Sequence, residues 1–345
     1  MPVGGIQDCG DQLHRNSCGT VFELTANGQF KILWQFTRVD GAYPEGELLI
    51  GPGGILYGST SSGGASGYGT IFSLAPPTTP QETQWTRTIL HSFAGNQDGA
   101  LPTGPLAMDR AGNLYGSTYA GGSGANWGTV FELSPYNGGW SEAILHRFSY
   151  SDGDAPFDGV TLDAAGNLYG TTRGGGPVDS GAVYQLLAGS GWQENTIYGF
   201  RLGGWDPQSG VTLDSSGNLY GSTFGGGSNG AGTVFELFHG DWIPQIIYNF
   251  YGGNEWGPNA SKVIFDVAGN LYGTTCGDGA YGAGSVFKLT LSDGAWTYTS
   301  LHDFTGGIDG ASPVGTLVLD ANGNIYGTTS GGGQNFNGVV FRITP

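Results

Sequence analysis

The chain repeats one short string six times, and this repetition limits the folds that it can adopt. Leu-Tyr-Gly, or Ile-Tyr-Gly in the last copy, recurs at intervals of 51 to 58 residues. The copies are centred on Tyr57, Tyr115, Tyr169, Tyr220, Tyr272 and Tyr326. A period of this length is typical of one β-propeller blade. The sequence therefore predicts an all-β protein with a single β-propeller domain over residues 1–345.

Each repeat contains four segments with the pattern of β-strands. An apolar run such as Leu106–Asp109 ends in a turn, and the Leu-Tyr-Gly strand follows. A glycine-rich loop leads to Gly-Thr-Val-Phe-Glu-Leu or a near copy, whose alternating residues point to opposite faces of a sheet. The fourth segment runs from a tryptophan such as Trp85 to a phenylalanine eight residues later, such as Phe93. Four antiparallel strands make one blade.

The number of strand copies predicts how the two ends of the chain are used. The third segment occurs seven times and the others six times, because the chain starts inside a repeat near Gly19. Six blades follow, the last taking inner strands from residues 313–341 and its outer strand from residues 31–36. Residues 1–36 are thus a closing-blade segment that pairs the N- and C-terminal strands and protects the sheet edges. The surplus third segment leaves open an alternative with seven blades, one of them incomplete.

The composition excludes several classes of partner. With 28 acidic and 11 basic residues, the formal charge of −17 repels the phosphates of nucleic acids. No run of 18 apolar residues occurs, so no transmembrane segment is expected, and the N-terminus lacks the order of a signal peptide. Cys9 and Cys18 flank a short polar loop and could form a disulfide, which leaves Cys276 as the odd cysteine. An oxidising compartment is therefore permitted.

The histidines and the loop aspartates give little support for a metal or a cofactor. Three histidines share one repeated position, two residues before the closing phenylalanine, and this predicts a structural role: His91, His146 and His302. His14 and His239 are isolated in the sequence. Four blade-to-blade loops carry Asp-Gly, at Asp40, Asp98, Asp152 and Asp309. These aspartates are expected to accept hydrogen bonds from their own turns, with calcium binding as the alternative, so no metal site and no cofactor are predicted.

One repeat is nearly complete from Pro313 to Phe341, and its signature resembles a known family. It reads Pro-x-Gly-x-Leu-x-x-Asp-x-x-Gly-Asn-Ile-Tyr-Gly-Thr-Thr, followed by a glycine-rich loop and the third strand. The signature resembles the bacterial choice-of-anchor GloVer tandem repeats over nearly the whole chain. Its strand order is similar to that of NHL-type propellers, in which the segment before the turn forms the innermost strand. The resemblance implies a secreted or surface-anchored protein, and it carries over no catalytic residue.

Functional residues are expected where a repeat departs from its own pattern, since the blade itself explains the repeated positions. The blade-to-blade loops and the glycine-rich loops are predicted to open on one face, where aromatic side chains form a rim on which sugars could stack. The rim residues are Tyr43, Tyr68, Tyr119, Trp127, Phe157, Trp205, Phe224, Trp256 and Tyr281. The residue after each Ser-Thr or Thr-Thr pair also varies, as a ligand-facing position would: Ser61, Tyr119, Arg173, Phe224, Cys276 and Ser330. The alternative is that these aromatic residues cover neighbouring loops or lie singly on the surface.

Two adjacent repeats replace the Asp-Gly turn with a tryptophan and a carboxylate. Residues 203–207 contain Trp205 and Asp206, and residues 252–258 contain Glu255 and Trp256. This is the sharpest local departure in the chain, and it predicts that a ligand binds there.

Catalysis is the alternative use of this face. Glycoside hydrolysis needs two carboxylates at a defined separation. Glu45, Glu47 and Asp158 stand at the start of predicted inner strands, where they could face the channel mouth. Further charged candidates in the same region are Asp206, Glu255, Arg173 and Lys262. The competing interpretation is that all of them are solvated residues of an acidic chain.

These features favour an extracellular propeller that binds a polysaccharide or oligosaccharide through its aromatic rim. The second hypothesis is a glycoside hydrolase or polysaccharide lyase that uses the channel-mouth carboxylates. A weaker third is a protein-interaction scaffold, which predicts a broad apolar patch instead of a pocket with convergent acids. Whether the protein is an enzyme, and its oligomeric state, are left open.

Overall fold

The computed structural model describes residues 18–344 apart from 26, 80–82, 123–125, 202 and 252–261. These residues form 25 β-strands and two short 3₁₀ helices, Pro52–Gly54 and Ala188–Ser190, and no α-helix. Six antiparallel sheets each contain one of the six repeated tyrosines. The prediction of an all-β β-propeller with six blades is confirmed. No helix of the described part of the chain has the length and apolar character needed to cross a bilayer.

The chain divides into two compact units, which are described separately. Unit 1 comprises residues 1–149 and 155–162, and unit 2 comprises residues 150–154 and 163–345. The assignment of residues 1–345 to a single domain stays a prediction.

Unit 1 contains the hairpin β1-β2 and two complete blades. The blade around Tyr57 has the strand order β3-β4-β5-β6, and the blade around Tyr115 has the order β7-β8-β9-β10. The strands are β1 Thr20–Leu24, β2 Phe30–Gln35, β3 Leu49–Ile50, β4 Leu56–Thr60, β5 Thr70–Ala75, β6 Thr86–Ser92, β7 Ala107–Met108, β8 Leu114–Thr118, β9 Thr129–Tyr136, β10 Gly139–Arg147 and β11 Thr161–Leu162.

Unit 2 repeats the same order of strands. Its sheets contain β12-β13-β14, β15-β16-β17-β18, β19-β20-β21-β22 and β23-β24-β25. The strands are β12 Leu168–Thr172, β13 Ala182–Leu187, β14 Gln193–Gly199, β15 Thr212–Leu213, β16 Leu219–Thr223, β17 Thr233–Leu237, β18 Pro244–Asn249, β19 Ile264–Phe265, β20 Leu271–Thr275, β21 Ser285–Ser292, β22 Ala295–Asp303, β23 Ala311–Leu319, β24 Ile325–Gly331 and β25 Val340–Ile343.

The structure accounts for the surplus third strand. That copy forms β1 and pairs with β2, the N-terminal outer strand, from Thr20 opposite Gln35 to Leu24 opposite Phe30. The predicted outer strand, residues 31–36, lies in β2 and directly after it. Closure of the sixth blade by pairing of the N- and C-terminal strands stays a prediction.

Repeated phenylalanines pack neighbouring blades of a unit together. The phenylalanine that ends one outer strand meets the third-strand phenylalanine of the next blade edge to face. In unit 1 the ring centroids of Phe93 and Phe131 lie 5.3 Å apart, and in unit 2 those of Phe200 and Phe235 lie 5.1 Å apart. All four rings are buried. Burying one such ring stabilises the fold by about 2 kcal/mol, so this contact explains the repeated outer-strand ending.

The repeated Asp-x-x-Gly-Asn-x-Tyr string builds the turn between the first two strands. Asp109 Oδ1 accepts hydrogen bonds from the Ala111 and Asn113 backbone N–H groups at 2.9 Å each. Its Oδ2 accepts from Asn113 Nδ2 at 2.8 Å and from the Tyr115 hydroxyl at 3.2 Å. Partial desolvation raises the pKa of Asp109, but these hydrogen bonds outweigh it, so the pKa lies below its usual value. The string is therefore structural, as expected.

The glycine after each repeated tyrosine is needed for space. A Cβ on Gly58 would lie 2.7 Å from Phe72 Cζ and 2.8 Å from Leu48 Cδ2, which belong to the same blade. Gly116 is enclosed in the same way by Phe131 and Leu106. The space beside this glycine is therefore filled by the core of its own blade.

Candidate functional site

One loop design recurs between blades in the part of the chain that the structure describes. A residue of the blade-to-blade loop forms a two-bond bridge with the loop after the second strand, as Ala42 does with Ser62 and Ala100 with Ala120. Both alanines are buried, at 1% and 3% exposure. The next residue has a positive φ, 58° at Tyr43. Each repeat therefore presents the same few side-chain positions at this edge.

Trp205 occupies the bridge position that alanine holds in those two repeats. Its backbone N–H donates to Gly225 O at 2.9 Å, and the Gly225 N–H donates to Trp205 O at 3.2 Å. The indole lies directly over Gly225, where an added Cβ would come within 2.3 Å of Trp205 Cζ2. The ring is 46% exposed and meets Phe224 edge to face at 6.2 Å. Trp205 is thus an exposed aromatic group held against a glycine.

A polar network adjoins Trp205 in sequence and space. Arg173 Nε and Nη2 donate to the two carboxylate oxygens of Asp206 at 2.7 and 3.0 Å. Gln208 Nε2 donates to Asp206 Oδ2 at 2.8 Å. Both charged side chains remain partly exposed, so the paired donors and acceptors can also reach a ligand. Trp205, Arg173 and Asp206 are the exposed part of a group of five unit 2 residues, and Gln208 and Phe224 lie buried beneath them. This group is called here the Trp205 surface.

The other predicted binding residues are distributed less closely. In unit 1 Tyr119 meets Phe157 edge to face at 6.0 Å, and both residues are half-buried. Trp127 is half-buried, with its carbonyl accepting the Ala155 N–H at 3.0 Å, and Tyr43 is exposed. In unit 2 Lys262 is half-buried just before β19. Glu255 and Trp256 lie outside the described residues.

The three predicted catalytic carboxylates have different surroundings in unit 1. Glu45 is exposed as a residue, yet desolvation of its carboxyl raises the pKa, opposed by a hydrogen bond from Ser61. Glu47 is exposed, and Asp158 is half-buried. Asp158 Oδ1 accepts the Gly159 N–H at 3.0 Å. Among the three, Glu45 has the environment of a proton donor, and the use of these residues in catalysis stays a prediction.

Three of the four loop aspartates cap their turns, as predicted. Asp40 Oδ1 accepts the Thr37 N–H at 2.6 Å, Asp98 Oδ2 accepts the Ala94 N–H at 2.9 Å, and Asp309 Oδ2 accepts the Thr305 N–H at 3.0 Å.

Sequence reasoning missed a second group of polar residues in unit 1. His91 Nε2 lies 3.5 Å from Asp98 Oδ2 and 3.4 Å from Glu142 Oε1. A β-bulge directly before His91 shifts the register of β6, a device that re-aims side chains. Desolvation and the charge of Asp98 raise the pKa of Glu142 to about 8, whereas desolvation lowers the pKa of His91. The repeated position of His91 did not predict that its ring lies beside these two carboxyl groups.

The family assignment follows from the repeats. The Gloeobacter/Verrucomicrobia repeat matches residues 9–203 and again residues 195–345. The chain belongs to this family. The predicted resemblance to the GloVer tandem repeats is therefore confirmed for both halves of the Gloeobacter/Verrucomicrobia repeat protein. No curated protein matches its sequence.

Solved structures share the fold of this Gloeobacter/Verrucomicrobia repeat protein at low sequence identity. A candidate 6-phosphogluconolactonase from Bacteroides uniformis is 14% identical with a TM-score of 0.56, covering 88% of this chain and 81% of its own. A second, from Bacteroides fragilis, is 16% identical with a TM-score of 0.57, covering 95% and 90%. A candidate oxidoreductase (glucose dehydrogenase) from Thermus thermophilus is 15% identical with a TM-score of 0.52, covering 87% and 96%. Likeness at this level shows a shared propeller fold alone.

Proposed function

We propose that this protein is an extracellular glycan-binding propeller and that its ligand docks on the Trp205 surface. The observation that carries the proposal is the replacement of a buried bridge residue by an exposed tryptophan. Ala42 and Ala100 fill that position with a methyl group, whereas Trp205 places a ring there that is 46% exposed. A large exposed aromatic group costs solubility and is not needed by the blade, so a binding role explains it best.

The chemistry of the Trp205 surface suits a sugar ring. The face of an indole is electron-rich and apolar, and it attracts the slightly positive C–H groups on one side of a pyranose. Arg173 supplies N–H donors and Asp206, next to Trp205 in the sequence, supplies acceptor oxygens, while the buried Gln208 holds Asp206 in position. Hydroxyl groups at the ring edge need both kinds of partner. Because the chain carries a net charge of −17, a neutral polysaccharide fits better than an anionic one.

A disulfide supports placing the protein outside the cell. Cys18 is disulfide-bonded, and Cys9, the partner that the sequence suggested, lies outside the described residues. Disulfides persist in oxidising compartments and are rare in the cytosol. Secretion would bring the Trp205 surface into contact with extracellular or cell-wall polymers.

Hydrolysis is the second candidate function, and one observation favours it. Desolvation raises the pKa of Glu45, which is the change that a general acid needs in order to hold its proton near neutral pH. Glu47 follows two residues later and would have to act as the second carboxylate. This activity and glycan binding by the Trp205 surface are separable in one experiment.

The test is a panel of insoluble neutral polysaccharides, assayed for retained protein and for new reducing ends. Binding predicts retention of the wild-type protein that falls at least about tenfold with Trp205→Ala, a loss of about 1.4 kcal/mol. Tyr136→Ala is the matched control, because Tyr136 is an exposed aromatic residue of a hairpin in unit 1. Equal retention of Trp205→Ala and the wild type would refute the proposal. New reducing ends that vanish with Glu45→Gln would establish the second candidate.

A further inference from the structure

We propose that His91, Asp98 and Glu142 bind a divalent transition-metal ion between two neighbouring blades of unit 1. His91 lies on β6 and Asp98 in the loop that follows, whereas Glu142 lies on β10 of the next blade. The three residues form a group whose ligand atoms all lie within 4.8 Å of one another. The inference is independent of glycan binding, since the Trp205 surface belongs to unit 2.

Two of the distances within this group match those between ligands around one small ion. His91 Nε2 stands 3.4 Å from Glu142 Oε1 and 3.5 Å from Asp98 Oδ2. Ligands about 2.1 Å from a tetrahedral Zn²⁺ are separated by about 3.4 Å. The side chains therefore need little rearrangement to share a metal.

The polar atoms at this place lack hydrogen-bond partners among the residues that the structure describes. His91 Nε2, Glu142 Oε1 and Asp98 Oδ1 are buried from solvent, yet none of these atoms has such a partner there. Buried polar atoms are almost always satisfied, and each unsatisfied one costs about 1 to 3 kcal/mol. Two of these atoms, His91 Nε2 and Glu142 Oε1, lie 3.4 Å apart, and one bound cation would satisfy both.

The charges of the group call for a cation as well. The carboxyl groups of Asp98 and Glu142 both lie beside His91, and Arg147 is a cation near Glu142. Arg147 Nε donates to the Gln97 carbonyl at 3.1 Å, so part of its hydrogen-bonding capacity is used elsewhere. A divalent ion would balance both carboxylates at once.

The donor set points to a class of metal. One imidazole nitrogen with two carboxylate oxygens suits Zn²⁺, Mn²⁺, Co²⁺ or Ni²⁺, whereas Ca²⁺ and Mg²⁺ prefer oxygen ligands alone. Because the ligands come from two blades, the ion would join β6 to β10 and stabilise the interface between these blades.

The experiment uses tag-free full-length protein that has been stripped with EDTA and dialysed. Calorimetric titration with ZnCl₂ should show one molar equivalent more tight binding for the wild type than for His91→Gln or Glu142→Gln. The stripped wild-type protein should also give the absorption bands of tetrahedral Co²⁺ with CoCl₂, and ZnCl₂ should raise its melting temperature. Both signals should be lost in the two variants. Glu142→Gln removes a charge without changing shape, so it keeps the metal-free fold.

His302→Gln is the matched control. His302 has the same repeat position and lies 3.3 Å from its own loop aspartate, Asp309. Within the described residues this pair belongs to no group of three ligands. His302→Gln should therefore bind as much Zn²⁺ as the wild type. Equal Zn²⁺ stoichiometry in the wild type, His91→Gln and Glu142→Gln, or no Zn²⁺ binding by the wild type, would overturn the proposal.

Discussion

Two equivalent positions in unit 1 surround a loop carboxylate with side chains of opposite charge. At the first, called the Asp40 cluster, Asp40 accepts a hydrogen bond from Trp34 Nε1 at 3.1 Å and lies 3.3 Å from Arg87 Nε. The guanidinium of Arg87 also lies over the Trp34 ring, at 5.3 Å from its centroid. The negative charge of Asp40 is therefore paired with Arg87, and the Trp34 side chain contacts both residues.

At the second position, called the Asp98 cluster, an acidic residue replaces the arginine of the first. His91 takes the repeat position of Trp34, and Glu142 takes that of Arg87, two residues after the outer-strand tryptophan. The two blades have the same strand order. The change of two side chains therefore replaces a carboxylate paired with arginine by the group that we propose to bind a metal ion. The comparison shows how a repeat protein can acquire a binding site without altering its fold.

The largest expected effect comes from making the Asp40 cluster acidic. Arg87→Glu removes the partner of Asp40 and places a second carboxylate beside it, because Arg87 holds the position of Glu142. Removing one member of a buried ion pair leaves an uncompensated charge, so the free energy of unfolding should fall by about 3 kcal/mol. Chemical denaturation at about pH 7 measures this change. A loss below about 0.5 kcal/mol would show that Asp40 is solvated and needs no partner.

The pH dependence of the free energy of unfolding of the metal-free protein tests the Asp98 cluster, because Glu142 belongs to it. The pKa of Glu142 is raised to about 8, so its carboxyl is protonated in the folded chain over a range where the unfolded chain is ionised. Its stabilising contribution is complete below the unfolded pKa and is lost as the pH rises through the folded pKa. In EDTA, the wild type should lose about 2 kcal/mol relative to Glu142→Gln between about pH 5 and pH 9. Since His91 is present in both proteins, the difference isolates Glu142, and parallel curves would contradict the raised pKa.

A smaller effect is expected from converting the Asp98 cluster into the paired type. Glu142→Arg supplies Asp98 with the cation that Asp40 has in Arg87. In EDTA at about pH 7 the free energy of unfolding should rise by about 1 kcal/mol, because a buried, protonated carboxyl is replaced by a cation that pairs with Asp98. The same variant should lose Zn²⁺ binding. Unchanged Zn²⁺ affinity would show that Glu142 is not a ligand.

An effect of the same size and opposite sign is expected from Trp34→His, which gives the Asp40 cluster the histidine of the Asp98 cluster. The variant loses the Trp34 hydrogen bond and the cation–π contact, a cost of about 1 kcal/mol in thermal or chemical unfolding. Arg87 still occupies the position of the second carboxylate, so the variant should gain no Zn²⁺ binding. Zn²⁺ binding by Trp34→His would mean that one imidazole and one carboxylate are enough to bind the ion.

Most of the fold could be predicted because the blades share the same contacts, so the residues that make them recur in each repeat. The Asp109 turn, the Tyr115 strand and the Phe93–Phe131 contact each recur, so the sequence period exposes them. The first strand of each blade was harder to delimit, since in five of the six blades it is only two residues long, as at Ala107–Met108. Upstream of that strand, a Cβ on Gly104 would lie 2.0 Å from the Gly159 backbone nitrogen, so close packing limits regular pairing there.

The site was only partly predictable, because its parts come from different repeats. Trp205 stands out in the sequence as a departure from the alanine position, and the structure adds what faces it. Gly225 and the Arg173–Asp206 pair become visible only when the register between loops is known. The Asp98 cluster was missed because His91 was compared only with the histidines at the same repeat position. Its neighbours on the next blade, such as Glu142, were not considered. Comparing Arg87 with Glu142 in adjacent repeats is the signal that could have revealed it.

The most direct test of glycan binding by the Trp205 surface is calorimetry with an oligosaccharide of the polymer that retains the protein. Wild type, Trp205→Ala and Gly225→Ala would be compared, with Tyr136→Ala as control. A Cβ at Gly225 would displace the indole without removing it, so affinity should fall at least about tenfold in Trp205→Ala and by an intermediate factor in Gly225→Ala. Tyr136→Ala should match the wild type. Wild-type affinity in both Trp205→Ala and Gly225→Ala would contradict the account.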